Sequence, residues 1–149
     1  MKTKYTNDKA TQIVLSLLKQ YGIKKVVASP GTTNIALVAS MQYDSWFEIY
    51  SSVDERSAAY MACGISEESG EPVVLTCTGA TASRNYFPAL TEAYYRKLPI
   101  IAITGSHGDE LNGHLHPQVI DRTQQPKDTI RFSTSIGIIS NTEDEWDSL

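Results

Sequence analysis

Four short apolar runs, each ended by a glycine, a proline or a polar loop and each followed by a helix-like segment, constrain this chain most. They are KKVVAS (24–29), FEIYSS (47–52), PVVLTCT (72–78) and PIIAITG (99–105). Short runs rich in Val, Ile and Thr and bounded by turn residues read as strands. Helical spacing fills the gaps. A first helix starts at Thr6 or Asn7 as cap and runs to about Tyr21, with Ile13, Val14, Leu17, Leu18 and Tyr21 on one face and Gly22 as its stop. A second begins at Thr32 (TTNIALVASMQ). A third spans about 55–69, with Ala58, Ala59, Met61, Ala62 and Ile65 facing inward and Gly70 closing it. A fourth is expected over 82–96, despite Pro88. After a polar loop (106–128), SIGIIS (135–140) reads as a fifth strand, and Asn141 caps the start of a further helix with an acidic first turn.

Strand and helix alternate throughout, and the strands read as buried on both faces. That pattern predicts an α/β fold: a doubly wound, mostly parallel sheet with helices on both sides, a flavodoxin-like three-layer sandwich. Such folds bind ligands beyond the carboxyl ends of their strands. Three loops rich in small and polar residues fall there: SPGTTN (29–34), SVDER (52–56) and TGATASRN (78–85).

Several function classes are disfavoured. The net charge is -4 and no basic feature is denser than a pair such as Lys24-Lys25, which argues against nucleic-acid binding. The polar N-terminus lacks a secretory pattern and no apolar run could span a membrane, so the cytoplasm is the expected location. Cys63 and Cys77 read as small core residues of a reducing compartment and lack metal-ligand spacing. His114 and His116 alternate as two ligands on a strand would, but two are too few, and no metal site is assigned. Glycine-rich nucleotide fingerprints and the GxSxG elbow are absent from the sequence. Tyr94, Tyr95 and Trp46 read as core or interface aromatics.

Asp54, Glu55 and Arg56 concentrate charge where the second strand leads into the third helix. From position alone, two readings stand: acids stabilising a helix N-terminus, or a carboxylate aimed at a ligand.

The order of segments narrows the choice. Pro30-Gly31 follows the first strand. Asp54-Glu55-Arg56 and a small-residue helix follow the second. A Thr/Gly/Ala loop ending in Asn85 follows the third, and ALTEAYYRKLPIIAITG (89–105) comes next. From about residue 6 to residue 140 this resembles the pyrimidine-binding (Pyr) domain of thiamine-diphosphate-dependent enzymes. SPGTTN, DERSAAYMACG and QVIDR (118–122) are most similar to the menaquinone-pathway synthase branch, which joins 2-oxoglutarate to isochorismate; the acetolactate synthase and decarboxylase branch is more distant.

The resemblance implies that Glu55 is the catalytic acid. In that family a carboxyl group hydrogen-bonded to N1′ of the cofactor's aminopyrimidine makes the 4′-nitrogen a base beside the thiazolium C2, and chemistry on a 2-keto acid follows. It also implies that Pro30, Gly31, Thr78 and Gly79 edge the cofactor pocket, and that Asn85 is either a polar group near the site or an N-terminal helix residue. Thr32, Thr33, Asn34, Arg84 and Gln118 are the implied substrate residues. Thr33 stands where the menaquinone branch has an arginine suited to a carboxylate; Arg84 is a candidate replacement, and a decarboxylase or carboligase with a different acceptor is expected.

The resemblance implies only half a site. Mg2+ and the diphosphate belong to a second (PP) domain, whose Gly-Asp-Gly pattern this chain lacks. The expected partners are a PP domain of the same or another chain, further copies in a homo-oligomer (dimer or tetramer), and a small-molecule substrate. The chain is expected to be a Pyr domain cut before its last helix and strand, inactive alone; a natural small subunit of a split 2-keto-acid decarboxylase and a non-catalytic dimerisation module of the same fold are the alternatives. Small and aromatic residues around Ala58, Ala59 and Tyr86-Phe87 are the expected contact face.

Overall fold

The computed structural model describes residues 6–122, 124–137 and 139. Helices α1 (Lys9–Gln20), α2 (Ile35–Gln42), α3 (Glu55–Ser69), α4 (Ala80–Arg84) and α5 (Phe87–Arg96) alternate with strands β1 (Lys25–Ala28), β2 (Glu48–Ser51), β3 (Val73–Cys77) and β4 (Ile100–Thr104). The sheet order is β2-β1-β3-β4 and every pairing is parallel. Val26 registers with Ile49 on one side and Val74 on the other.

Successive strand residues point to opposite faces. Val26 and Val74 pack with Leu15 and Leu18 of α1, Leu37 and Met41 of α2, and Phe47. Val27, Val73, Leu75 and Cys77 pack on the other side with Ala58, Ala59, Ala62 and Cys63 of α3, with Tyr86, and with Ala89, Leu90 and Ala93 of α5. The sandwich is therefore doubly wound, as the alternation predicted. Both cysteines are free and buried.

Burial on both faces holds for the central strands β1 and β3 only. The edge strands are more open: Tyr50 of β2 and Ile101 of β4 are exposed.

Several boundaries differ from the sequence expectation. The cap of α1 is Asp8, whose carboxylate accepts the Thr11 N–H at 2.8 Å, rather than Thr6 or Asn7. Its buried residues are Leu15 and Leu18, while Leu17 and Tyr21 are exposed. In α3, Met61 is exposed, and Cys63 and Ser66 join the three alanines inside. Residues 32–34 form a 3-10 turn before α2. The single helix expected over 82–96 is two helices, broken at Asn85 and Tyr86, with Pro88 in the first turn of the second. Proline has no N–H to give and its ring clashes with the carbonyl four residues back, so the chain restarts there.

No strand forms over residues 135–137, and positions 138 and 140 and the helix expected from Asn141 lie outside the described residues. Ala58, Ala59 and Tyr86, expected at a contact face, are instead 0%, 1% and 1% exposed, because they fill the space between α3, β3 and α5. Among the described residues, no helix is long and apolar enough to cross a membrane.

Candidate active site

In a β2-β1-β3-β4 sheet the chain winds to one side from β1 and then to the other through β3. The crevice lies where that direction reverses, beyond the carboxyl ends of β1 and β3. The loops after these strands meet there. An ideal Cβ on Gly31 would come within 2.2 Å of Thr78 Cγ2, so only glycine permits this closeness.

Asn34 sets the shape of the first loop. Its side-chain oxygen accepts the Gly31 N–H at 2.8 Å, and its Nδ2 donates to the Ser29 carbonyl and to Thr76 Oγ1, both at 3.2 Å. With 2% exposure it is an internal strut. The Thr33 hydroxyl donates to the Gly105 carbonyl at 3.0 Å, tying this loop to the end of β4, and Ser29 Oγ donates to the Ser52 carbonyl at 2.8 Å, tying it to the end of β2. Pro30 and Thr32 are exposed on its outer side.

Glu55 is the first residue of α3, immediately past the turn that ends β2. Asp54 does the capping: it accepts the Ser57 N–H at 2.7 Å, and the hydrogen bonds from Ser57 hold its carboxyl below the ordinary range. Glu55 is thereby released from that duty. It is half-buried and makes no hydrogen bond or ion pair with another described residue.

The loop after β3 leads straight into α4. Thr78 is half-buried and Gly79 buried. An ideal Cβ on Gly79 would meet the Gln118 carbonyl oxygen at 2.4 Å and the Arg122 guanidinium at 3.0 Å. The segment from Gln118 to Arg122 thus folds back over the start of α4, helped by a left-handed backbone at Gln118 (φ 62°). Arg122 Nε donates to Ser83 Oγ at 3.3 Å. Arg84 is exposed in the last turn of α4, and Asn85 is exposed as its C-cap, not an N-terminal helix residue.

Beneath this rim lie Cys77 and Tyr86. Burial pushes the Cys77 thiol up to about 11; a hydrogen bond from Tyr86 opposes this, the Glu55 charge adds to it and Arg122 opposes it. Burial also drives the Tyr86 phenol far upward, and Cys77 and Glu55 add to it. Both groups stay neutral across the ordinary pH range, and both feel the Glu55 carboxylate.

The fold therefore brings Gly31 against Thr78, Thr33 against Gly105 and Gly79 against Gln118, with Asn34 buried inside the first loop, Pro30 and Thr32 exposed on it, and Glu55 at the start of α3. Arg84 and Asn85 stand farther out, on the solvent side of α4. The sequence reading left Cys77, Tyr86 and Arg122 outside the site. Arg122 was in view within QVIDR, but nothing in the sequence tells that a segment some forty residues after Gly79 returns to cover it.

The residues present suit a thiamine pyrimidine. A half-buried carboxylate with no partner among the described residues can meet a ring nitrogen, and the neighbouring loops are held by internal hydrogen bonds. Among the described residues no cluster of His, Cys, Asp and Glu could hold a metal ion.

This arrangement defines a ligand-binding domain of the doubly wound α/β class. The chain belongs to the thiamine pyrophosphate enzyme family, matching its N-terminal TPP binding domain over residues 8–125. It is similar to the 2-succinyl-5-enolpyruvyl-6-hydroxy-3-cyclohexene-1-carboxylate synthase of Porphyromonas gingivalis, with 41% identity over 110 residues, covering 74% of this chain and 19% of that protein. The synthase of the same name from Phocaeicola vulgatus is 32% identical over 142 residues, 95% of this chain and 26% of that protein. The chain thus spans about a fifth to a quarter of the length of these curated relatives. Among solved structures, the fold is shared with benzoylformate decarboxylase from Polynucleobacter necessarius (TM-score 0.64, 24% identity, 72% of this chain and 20% of that one). It is also shared with a thiamine diphosphate-dependent 4-hydroxybenzoylformate decarboxylase of Rhodococcus jostii (TM-score 0.67, 22% identity, 75% and 21%).

Proposed function

We propose that this chain is the pyrimidine-binding half of a thiamine-diphosphate-dependent enzyme acting on a 2-keto acid, with Glu55 as the acid that engages the cofactor's aminopyrimidine. The observation that carries this reading is the placement of Glu55: half-buried, relieved of capping by Asp54, and with no hydrogen-bond or ion-pair partner for its carboxylate among the described residues. Thiamine diphosphate, when bound, supplies the thiazolium carbon and the electron sink for 2-keto-acid chemistry. The chain's own residues do the rest. Glu55 holds or releases a proton at the pyrimidine ring nitrogen. Asn34 fixes the loop carrying Pro30 and Gly31, and Thr78 and Gly79 form the opposite wall. Mg2+ and the diphosphate fall to a PP domain outside this chain, so the chain alone is inactive.

The relatives' names point to a synthase, which favours carboligation over simple decarboxylation. The Thr33 hydroxyl is bound to the Gly105 carbonyl and offers no charge to a substrate carboxylate. This supports an acceptor different from that of the menaquinone branch, with Thr32, Arg84 and Gln118 as the exposed residues available to select it.

Glu55→Gln in the full-length protein is the test. Gln keeps the shape and loses the proton. A loss of turnover of about 10²-fold or more, with the fold retained, is expected. Unchanged turnover rejects the assignment and favours a non-catalytic module of the same fold.

A further inference from the structure

Tyr86 sits at the break between α4 and α5, 1% exposed, with its backbone N–H donating to the Ser83 carbonyl at 3.3 Å. Its hydroxyl is buried and meets no strong acceptor among the described residues; the side chain that acts on it as a hydrogen-bond partner is the Cys77 thiol, a weak acceptor. A buried phenol served only by a thiol is poorly satisfied, and a phenylalanine would fill nearly the same volume without that cost. The adjacent Cys77 thiol is already directed to the Thr78 carbonyl at 3.2 Å. Tyr86 and Cys77 share one core cluster with Ala58 and Ala59, which lie one helical turn after Glu55. The Glu55 charge acts on both of them. A buried donor served only by a weak thiol acceptor, and a half-buried carboxylate with no donor among the described residues, thus occupy one neighbourhood.

We infer that Tyr86 is a positioning residue: its hydroxyl donates to an inward rotamer of the Glu55 carboxyl and so fixes that carboxyl relative to the crevice. Only the donor role is open to it, because burial keeps the phenol protonated. The inference deepens the proposed role of Glu55 and rests on it for its significance, but its test does not require the cofactor.

Difference Raman spectra of the chain, wild type minus Tyr86→Phe, isolate this phenol among the eight tyrosines. The expected signature is that of a strong donor, shifting to a weak donor in a Glu55→Ala background. Glu55→Asp, which keeps a charge at the helix start but shortens its reach, should give the same shift. A signature indifferent to both substitutions overturns the inference. In the full-length protein, Tyr86→Phe should lower kcat about ten-fold with the substrate KM unchanged; an unchanged kcat overturns the positioning role. If the Raman shift is found but Glu55→Gln leaves turnover intact, the cofactor reading fails while the Tyr86–Glu55 contact stands.

Discussion

Removing the Asn34 side chain probes the candidate site at the residue that shapes it. Asn34→Ala deletes three hydrogen bonds, two buried and one partly buried: to the Ser29 carbonyl, to Thr76 Oγ1 and from the Gly31 N–H. Each is worth about 1 kcal/mol net, and groups left buried without partners cost more. The expected destabilisation is about 3 kcal/mol. For a domain of this size that lowers Tm by roughly 6–12 °C, followed by circular dichroism on the 149-residue chain. Asn34→Asp should do at least as much damage. Its carboxylate can still accept from Gly31, but an oxygen replaces Nδ2 against the Ser29 carbonyl, and a charge is buried. Thr76→Val removes only one of the three bonds and should cost about a third as much. The consequence for function lies in the loop: without Asn34, the Gly31 N–H loses its acceptor and Gly31 is held against Thr78 only through the ties of Ser29 and Thr33 on either side. A shift of under about 2 °C for Asn34→Ala would refute the view of this side chain as an internal strut.

Two further predictions concern packing and pH. Gly31→Ala drives a methyl group into Thr78 Cγ2 and should destabilise by about 1–3 kcal/mol; Thr78→Ser removes that carbon, so the double variant should recover most of the loss in urea unfolding, and failure to recover would place the clash elsewhere. Burial raises the Cys77 thiol from 9.0 to about 11, so the folded chain keeps a proton that the unfolded chain gives up first. This contribution to stability is therefore complete below about pH 9 and falls away as pH rises toward 11. The urea midpoint should drop between about pH 8 and about pH 10 in wild type, by more than in Cys77→Ala. Equal drops in the two proteins would contradict this account.

The alternation of apolar runs and helices determined the layers, because a strand that must be buried on both sides requires helices on both sides. Pro-Gly after the first strand and Asp-Glu-Arg after the second marked two of the loops that meet at the crevice, since breakers and charges at strand ends are local features. The break in the fourth helix was legible too, in Pro88, but the continuous periodicity around it masked the signal. Tertiary structure decided what local pattern cannot encode. It made β2 and β4 the edges of the sheet, so their apolar residues are only partly covered. It turned Asn34 into a strut, because its bonding partners come from β3 as well as its own loop. It brought Gln118 and Arg122 over Gly79, and it set Tyr86 and Cys77 against Ala58 and Ala59 of α3. Each of these is a contact between segments remote in sequence, and side-chain spacing along a chain carries no record of which remote segment will arrive.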